Sequence, residues 1–367
     1  LKTVSLSVIN DLVTDNRAHK VCQTLQQMGF SPVLIGRQLR HSQPVSRTYQ
    51  THRMKLLFRK GPLFYLEYNL RLFFLLRKLA PDIFVANDLD SLLANFLVSR
   101  LKHKPLVYDS HEYFTEVPEL IGRPRVQNIW LWLEKKMVPK VNAAYTVCGS
   151  IADIYRQQYG VDFKVVRNLP EKSLATPPEF KLPNLNNRKV ILYQGALNMG
   201  RGLEAAIRAM QFIDGAVLVL AGNGDIVEPL KQLAEKQGVA NQVIFTGRLA
   251  LEQLAGLTRL ADLGLSIEED LGLNYRFALP NKLFDYIQAG VPVLVSDLPE
   301  MRNVVEEYQV GAIAKNHYPE QLAESIRMAL FDMGKRAVWK QNLPKAAAEL
   351  CWEHESGVIR EIYSRFA

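Results

Sequence analysis

Three stretches of this 367-residue chain gather side chains that handle phosphate, sugar hydroxyls or protons. The first is Gln194-Gly195-Ala196-Leu197-Asn198-Met199-Gly200-Arg201-Gly202-Leu203, which leaves a strand-like run and opens a helical pattern. Glycines let backbone approach a ligand closely, and the N-terminus of the helix they lead into offers unpaired N–H groups at its positive end. Arg201 adds a guanidinium whose fork suits a diphosphate. An ordinary strand-to-helix loop reads the same way. The second stretch runs from Ala278 to Val293. Pro280 and Asn281 begin a helix, Gly290 ends it, and a buried strand follows. Asn281 and Lys282 then stand at a helix N-terminus, where anions bind. Asp285, about one turn in, suits a ribose diol, although a carboxylate there also complements the helix dipole for ~0.3–1 kcal/mol. The third, Leu106-Val107-Tyr108-Asp109-Ser110-His111-Glu112, sets an imidazole and two carboxylates just past a strand. Imidazole there hydrogen-bonds a sugar hydroxyl or holds structure.

The elements that must position these groups alternate along the chain. Strand patterns occupy Val4–Ile9, Val33–Ile35, Ile83–Ala86, Leu106–Asp109, Ala144–Val147 and Lys164–Val166 in the first half. Val190–Gln194, Ala216–Ala221, Val243–Thr246, Leu263–Ile267, Val291–Ser296 and Gly311–Ala314 follow in the second. Between them lie helical patterns such as Ala18, Val21, Cys22, Leu25 and Met28 before Gly29. Alternation of this kind implies parallel sheets covered on both faces. Happening twice, it predicts an α/β chain of two facing Rossmann-like domains with an interdomain cleft, since ligands in such sheets bind beyond the carboxyl ends of strands. The expected division is 1–168, a linker at 169–188, a second domain at 189–345, and a closing helix at 346–367 that crosses back. The linker holds Pro170, Pro177, Pro178 and Pro183 and little periodicity.

Length and composition agree with two globular domains, at 48% hydrophobic and 22% charged residues. Three scattered cysteines, Cys22, Cys148 and Cys351, argue for a reducing compartment and against a disulfide framework. No leader-like or membrane-spanning run is legible, so a cytoplasmic protein is expected. The net charge of +8 is uneven: residues 1–178 hold 25 Lys and Arg against 14 Asp and Glu, the remainder 20 against 23. A first half at +11 points to an anionic partner, or to a merely solvated basic face.

The stretch from Pro280 to Val293 resembles the signature of family 4 glycosyltransferases of the GT-B fold, P-[SN]-K-L-F-[ED]-Y-x-x-A-G-x-P-V. The resemblance covers nearly the whole chain and is most specific at 278–293 and 106–112. It implies a retaining enzyme that moves a sugar from a nucleoside-diphosphate sugar to a hydroxyl acceptor, in surface polysaccharide or glycolipid assembly. By it Asp285 binds the ribose and Arg201 contacts the donor diphosphate, where the glycine loop and helix start also place Gly195, Gly200, Asn281 and Lys282. Gly247 and Arg248 lie near the nucleobase, and His111 lies beside the donor sugar and the acceptor path. With Glu112 it forms the expected catalytic pair. Asp15 and Arg17 resemble an acceptor-side D-x-R segment, although Asp15 serves equally as an N-cap. Two positions depart from the family. Ala196 stands where an arginine is common, and Phe277 where a second acid often lies, so Glu268, Glu269 or Asp270, or backbone N–H groups in Leu271–Arg276, are expected to serve the sugar.

Asp88-Leu89-Asp90 matches a metal–diphosphate D-x-D, but it lies in the half without the nucleotide signature, and no histidine spacing suggests a metal. No obligatory metal or other cofactor is expected beyond the nucleotide-sugar co-substrate. Segment 53–79 mixes basic and aromatic residues and suits either a core helix with a basic loop or peripheral contact with an anionic membrane, on its inner face, near a lipid-linked or saccharide acceptor. Rival readings are a UDP-sugar epimerase of the same fold and a non-catalytic scaffold. Nucleic-acid binding has no recognition motif behind it.

Overall fold

The computed structural model describes residues 1–118, 120, 122–172, 177–182, 185 and 187–367. They form two units, Leu1–Asn168 with Glu355–Ala367, and Leu169–His354. The first contains β1 (Thr3–Asp11), α1 (Asn16–Gln27), β2 (Ser31–Arg37), β3 (Gln50–Met54), α2 (Pro62–Leu79) and β4 (Ile83–Asn87). It continues with α3 (Leu89–Lys102), β5 (Leu106–Ser110), α4 (Pro124–Met137), β6 (Ala143–Thr146), α5 (Gly149–Tyr159) and β7 (Lys164–Val165). The strands form one parallel sheet in the order β3-β2-β1-β4-β5-β6-β7. Every residue of β4, β5 and β6 is buried, as in a sheet covered on both faces. β3, Gln-Thr-His-Arg-Met at the edge, has no apolar run and left no strand pattern in the sequence. Chain direction across the sheet reverses between β1 and β4, so a crevice opens at their carboxyl ends.

The second unit contains β8 (Lys189–Gln194), α6 (Leu203–Ala209), β9 (Ala216–Ala221), α7 (Val227–Lys236), β10 (Val243–Gly247), α8 (Leu251–Leu260) and β11 (Leu263–Ser266). Then come α9 (Leu273–Arg276), α10 (Asn281–Gln288), β12 (Val293–Ser296), α11 (Pro299–Tyr308), β13 (Gly311–Ala314), α12 (Pro319–Phe331) and α13 (Met333–Glu349). Its parallel sheet runs β10-β9-β8-β11-β12-β13, and the switch falls between β8 and β11. Side chains alternate along a strand: Ile191 and Tyr193 enter one apolar core, Val190 and Leu192 the other.

Packing fixes α10 at that switch. Tyr286 is fully buried; its hydroxyl accepts from the Gln194 N–H at 3.1 Å and donates to the Leu192 carbonyl at 3.1 Å. Gly264 on β11 makes room for that ring, because a Cβ there would sit 2.3 Å from Tyr286 Cγ.

Two expected boundaries differ. The segment expected as a linker packs with the second unit, where Phe180, Leu182 and Leu185 lie against the apolar core; Pro183, Asn184, Asn186 and residues 173–176 lie outside the described residues. The closing segment is two helices rather than one, since α13 ends at Glu349 and α14 (Trp352–Ser364) follows. Residues 346–354 belong to the second unit, and Glu355 onward to the first. Buried Glu355 anchors that return: it accepts from the Arg167 backbone N–H at 2.6 Å and pairs with its guanidinium at 3.0 Å.

Candidate functional site

In the second unit the chemistry gathers at the carboxyl ends of β8 and β11. Gly195 leaves β8 at φ 132°, and Gly222 leaves β9 at φ 151°. A Cβ on Gly222 would lie 1.8 Å from the Gly195 carbonyl oxygen, so only glycine allows these two turns to touch. Lys282, second residue of α10, donates to Glu268 Oε1 at 2.5 Å and to the Tyr193 hydroxyl at 3.3 Å. Its Nζ also lies 4.4 Å from the Tyr193 ring centre. Arg201 Nη1 stands 3.7 Å from the same Glu268 oxygen, and Ser266 donates to the other at 2.9 Å. Glu268 is 0% exposed. Burial pushes its carboxyl up, but Lys282, Arg201 and the Ser266 hydroxyl outweigh that and hold it below the ordinary range. Two cations thus share one carboxylate, and one positive charge is left over. Arg201 lies over the Tyr275 ring at 5.4 Å, and among the described residues its buried Nε meets no hydrogen-bond acceptor. A surplus charge, glycine backbone and the start of α10 thus meet at one crevice, an arrangement with the chemistry to attract an anion.

Asp285 lies one turn along α10, and its Oδ2 accepts from Gln194 Nε2 at 3.0 Å. Gln194 Oε1 in turn accepts from Thr258 Oγ1 at 2.7 Å, which fixes both amide and carboxylate. Gln194 stood inside the quoted motif without a role; its place as the last residue of a strand at the switch point was the available signal. Asn281 is exposed at the first position of α10. Gly247 and Arg248 are exposed at the end of edge strand β10, and the Gly247 carbonyl receives the Gly222 N–H at 2.9 Å. Of the acids expected near the sugar, Glu268 lies beneath the cations, where its carboxylate is spent on holding them. Glu269 is half-buried with its N–H on the Gly200 carbonyl, and exposed Asp270 pairs with Arg276 at 2.7 Å. Phe277 follows α9 directly, and Ala196 lends its carbonyl to the Tyr193 hydroxyl at 2.9 Å.

The first unit carries its own cluster at the β1/β4 switch. Asp109, last but one in β5 and fully buried, binds the Arg17 guanidinium through Nη2 at 2.8 Å and Nε at 3.1 Å. Arg17 Nη1 donates to the Val166 carbonyl at 2.8 Å. Arg17 is 3% exposed, so its side chain supports Asp109 from within rather than opening toward an acceptor. Asp15 caps α1, accepting from the Ala18 N–H at 3.0 Å. His111 sits between two carboxylates, with Nε2 3.0 Å from Asp109 Oδ2 and Nδ1 3.4 Å from Asp88 Oδ2. Burial works against the charged ring, but Asp109 and Asp88 outweigh it and push its pKa up to about 9. Burial likewise raises Asp109, and Arg17 and His111 bring it down to about 2. At neutral pH the ring is therefore a cation and hydrogen-bond donor, not a base. Half-buried Glu112 follows it.

Asp88 acquires a role that its D-x-D context hid. It holds φ 61°, ψ 166°, a region nearly reserved for glycine, and its Oδ1 accepts the His111 backbone N–H at 2.7 Å. Asp90 turns away into the unit and is buried; burial, Asp88 and Glu112 push its carboxyl well above the ordinary range. Among the described residues no group of three His, Cys, Asp or Glu is placed to hold a metal ion.

Comparison with known proteins divides the chain as its geometry does. Residues 178–346 match the family described as glycosyl transferases group 1, and residues 15–170 match glycosyltransferase family 4. An uncharacterized glycosyltransferase of Methanocaldococcus jannaschii is 29% identical over 48% of this chain and 45% of its own length. A GDP-mannose-dependent alpha-(1-6)-phosphatidylinositol monomannoside mannosyltransferase of Mycobacterium tuberculosis is 27% identical over 40% of each chain. The match thus spans less than half the length of these curated relatives. HepE of Anabaena, solved in complex with UDP-glucose, is similar with a TM-score of 0.76 at 16% identity, covering 100% of both chains. That likeness speaks for the fold.

Proposed function

We propose that this chain, which belongs to the GT-B glycosyltransferases of the family 4 type, moves a sugar from a nucleoside-diphosphate sugar to a hydroxyl acceptor with retention of anomeric configuration. The observation that carries the reading is the cation pair of Arg201 and Lys282, held on buried Glu268 at the β8/β11 switch one turn from Asp285. In the reaction the bond from anomeric carbon to diphosphate oxygen breaks, and its electron pair leaves with the phosphate. The acceptor oxygen bonds to that carbon, and its proton passes to the departing phosphate. The developing charge falls beside Arg201, Lys282 and the N–H groups that open α10, with Asn281, Gly195 and Gly200 shaping the approach. Preorganised groups of this kind are usually the largest catalytic contribution.

Asp285, steadied by Gln194, takes the ribose diol, and the exposed Gly247-Arg248 turn takes the base. Glu269 and Asp270 remain the carboxylates nearest the sugar, with Glu268 positioning the cations. His111, held as a cation by Asp88 and Asp109, hydrogen-bonds sugar or acceptor, and Glu112 lies next to it. Asp15 and Arg17 frame that side as cap and buried counter-ion. No metal is needed, because the two side-chain cations supply the charge. The reading includes a saccharide or lipid-linked acceptor in polysaccharide or glycolipid assembly, and contact of segment 53–79 with the inner face of an anionic membrane. A UDP-glucose complex of the structural neighbour and the phosphatidylinositol monomannoside in the mannosyltransferase's name support donor and acceptor classes. The test is release of nucleoside diphosphate from UDP-glucose or GDP-mannose in EDTA, with and without a lipid extract, and NMR of the new linkage. Acceptor-dependent release with an α product supports the reading. An inverted product removes the retaining mechanism, and conversion of the donor without acceptor makes the chain an epimerase.

A further inference from the structure

The outer side of one helical layer in the first unit is apolar. α2 contacts α3, α3 contacts α4, and Tyr65 of α2 meets Trp130 of α4 edge-on with ring centres 5.1 Å apart. α2 buries Phe64, Tyr68, Leu72 and Leu76. Its opposite stripe, Leu63, Leu66, Leu70 and Phe74, is more than half exposed at every position. Residues three and four apart share a helix face, so α2 is apolar on both faces. The stripe and the preceding Leu57 and Phe58 line an open groove of about 450 Å³. α4 repeats the pattern: it buries Trp130 and Met137 and exposes Ile129 at 60% and Trp132 at 59%. α3 adds exposed Leu97 and Leu101. Single exposed apolar side chains are ordinary, but a stripe on α2 beside exposed apolar pairs on the neighbouring α3 and α4 has the composition of an interaction site.

The charges around this layer say what covers it. Residues 55–79 hold six Lys and Arg against Glu67 alone, 97–104 hold three against none, and 122–140 hold five against Glu134 alone. Glu67 offsets one of these cations, Arg71, at 2.8 Å, and Asp82 another, Lys104, at 3.0 Å, which leaves the others in excess. Glu67 accepts from the Leu57 and Phe58 N–H groups and from Arg71. Glu134 is fully buried, accepting from the Tyr155 and Tyr159 hydroxyls. A second copy of so cationic a face would repel this one. Among the described residues no helix is long and apolar enough to cross a membrane, so a lipid surface would be lain upon rather than spanned.

We propose that α2, α3 and α4 together form a docking face for an anionic lipid surface, with Phe74, Ile129 and Trp132 entering the boundary between headgroups and acyl chains. The rim of Lys and Arg then meets the lipid phosphates. This rests on the membrane contact proposed above for 53–79 and extends it to α3 and α4, which that segment does not include.

The test is co-sedimentation of the full chain with phosphatidylcholine vesicles, with and without phosphatidylglycerol. Wild type is compared with Leu66→Ser/Phe74→Ser, Ile129→Ser/Trp132→Ser and Lys135→Gln/Lys136→Gln. The expected result is binding that needs phosphatidylglycerol, fades with salt and is lost in both apolar pairs. The lysine pair weakens it roughly 20- to 30-fold, about fivefold for each charge near an anionic surface. Melting and nucleotide-induced shifts stay as in wild type, which separates this face from the donor site. Binding lost in the α2 pair but kept in the α4 and lysine pairs overturns the three-helix face and leaves the narrower contact. Absence of binding by wild type overturns both. Concentration-dependent dimerisation that both apolar pairs abolish, without vesicle binding, makes the face a self-interface and overturns the proposal.

Discussion

Glu268→Gln separates the frame of the second unit's site from its ligand. The glutamine keeps the shape and the Ser266 contact but withdraws the counter-charge from Lys282, 9% exposed, and from Arg201, 29% exposed. Removing one partner of a buried pair costs about 3–5 kcal/mol. Arg201 keeps some water, so the lower figure, about 3 kcal/mol, applies. At roughly 2–4 °C per kcal/mol for a domain of this size, the melting temperature falls by about 6–12 °C. The double variant Glu268→Gln/Lys282→Met recovers most of that loss, because it leaves no uncompensated charge at the more deeply buried lysine position, while Arg201 keeps some water. A nucleoside diphosphate changes the comparison: its phosphates become the missing counter-charge, so its stabilising shift in Glu268→Gln equals or exceeds that in wild type. Calorimetry of the three proteins with and without ligand is the assay. An unchanged melt in Glu268→Gln, or a double variant no better than the single, would refute the shared-carboxylate account. Acid gives the same sign. Glu268's folded pKa is depressed, so its contribution is present above the ordinary carboxyl value, about 4.3. It is lost as pH falls through the lower folded value, and the glutamine variant lacks that limb.

His111 behaves oppositely. Its folded pKa, about 9, lies above the usual 6.5, so its contribution is whole below 6.5 and is lost as pH rises through 9. His111→Gln therefore melts closest to wild type at alkaline pH; a gap that widens there would contradict the ion cluster. Asp88→Gly relieves the backbone at φ 61° but frees His111, so transfer falls, by an expected 10-fold or more, while stability stays within about 1–3 kcal/mol of wild type; full activity would remove its positioning role. Gly222→Ala drives a Cβ onto the Gly195 carbonyl and should lower both stability and nucleotide affinity, by about 1–3 kcal/mol in stability, as read by melting and titration.

Much of this frame was legible because it rests on local chemistry. Strand runs such as Ala216–Ala221 are buried at every residue, and a glycine after α10 with φ 71° ends that helix where the pattern put its end. Polar strand β3 had no hydrophobic period to betray it. The site was legible as motifs but not as pairings. Glu268 and Lys282, or Arg17 and Asp109, meet only once the sheet order is known, and spacing along the chain cannot tell an acid that faces a sugar from one that holds a lysine. Asp88 was hidden for a sharper reason: D-x-D suggests metal, whereas its strained backbone and bond to the His111 N–H appear only in three dimensions.

The central claim, that the second unit binds a nucleoside-diphosphate sugar through Arg201, Lys282 and Asp285, is tested most directly by a thermal-shift panel. UDP, GDP, ADP and CMP are each added in EDTA to wild type and to Asp285→Ala. A diphosphate at about 100 times its dissociation constant stabilises by ~2.7 kcal/mol, several degrees at this size. The account predicts that shift for one diphosphate in wild type and its loss in Asp285→Ala, whose apo stability falls by about 1 kcal/mol with the Gln194 hydrogen bond it gives up. No shift with any nucleotide, or a shift that Asp285→Ala leaves intact, would contradict it.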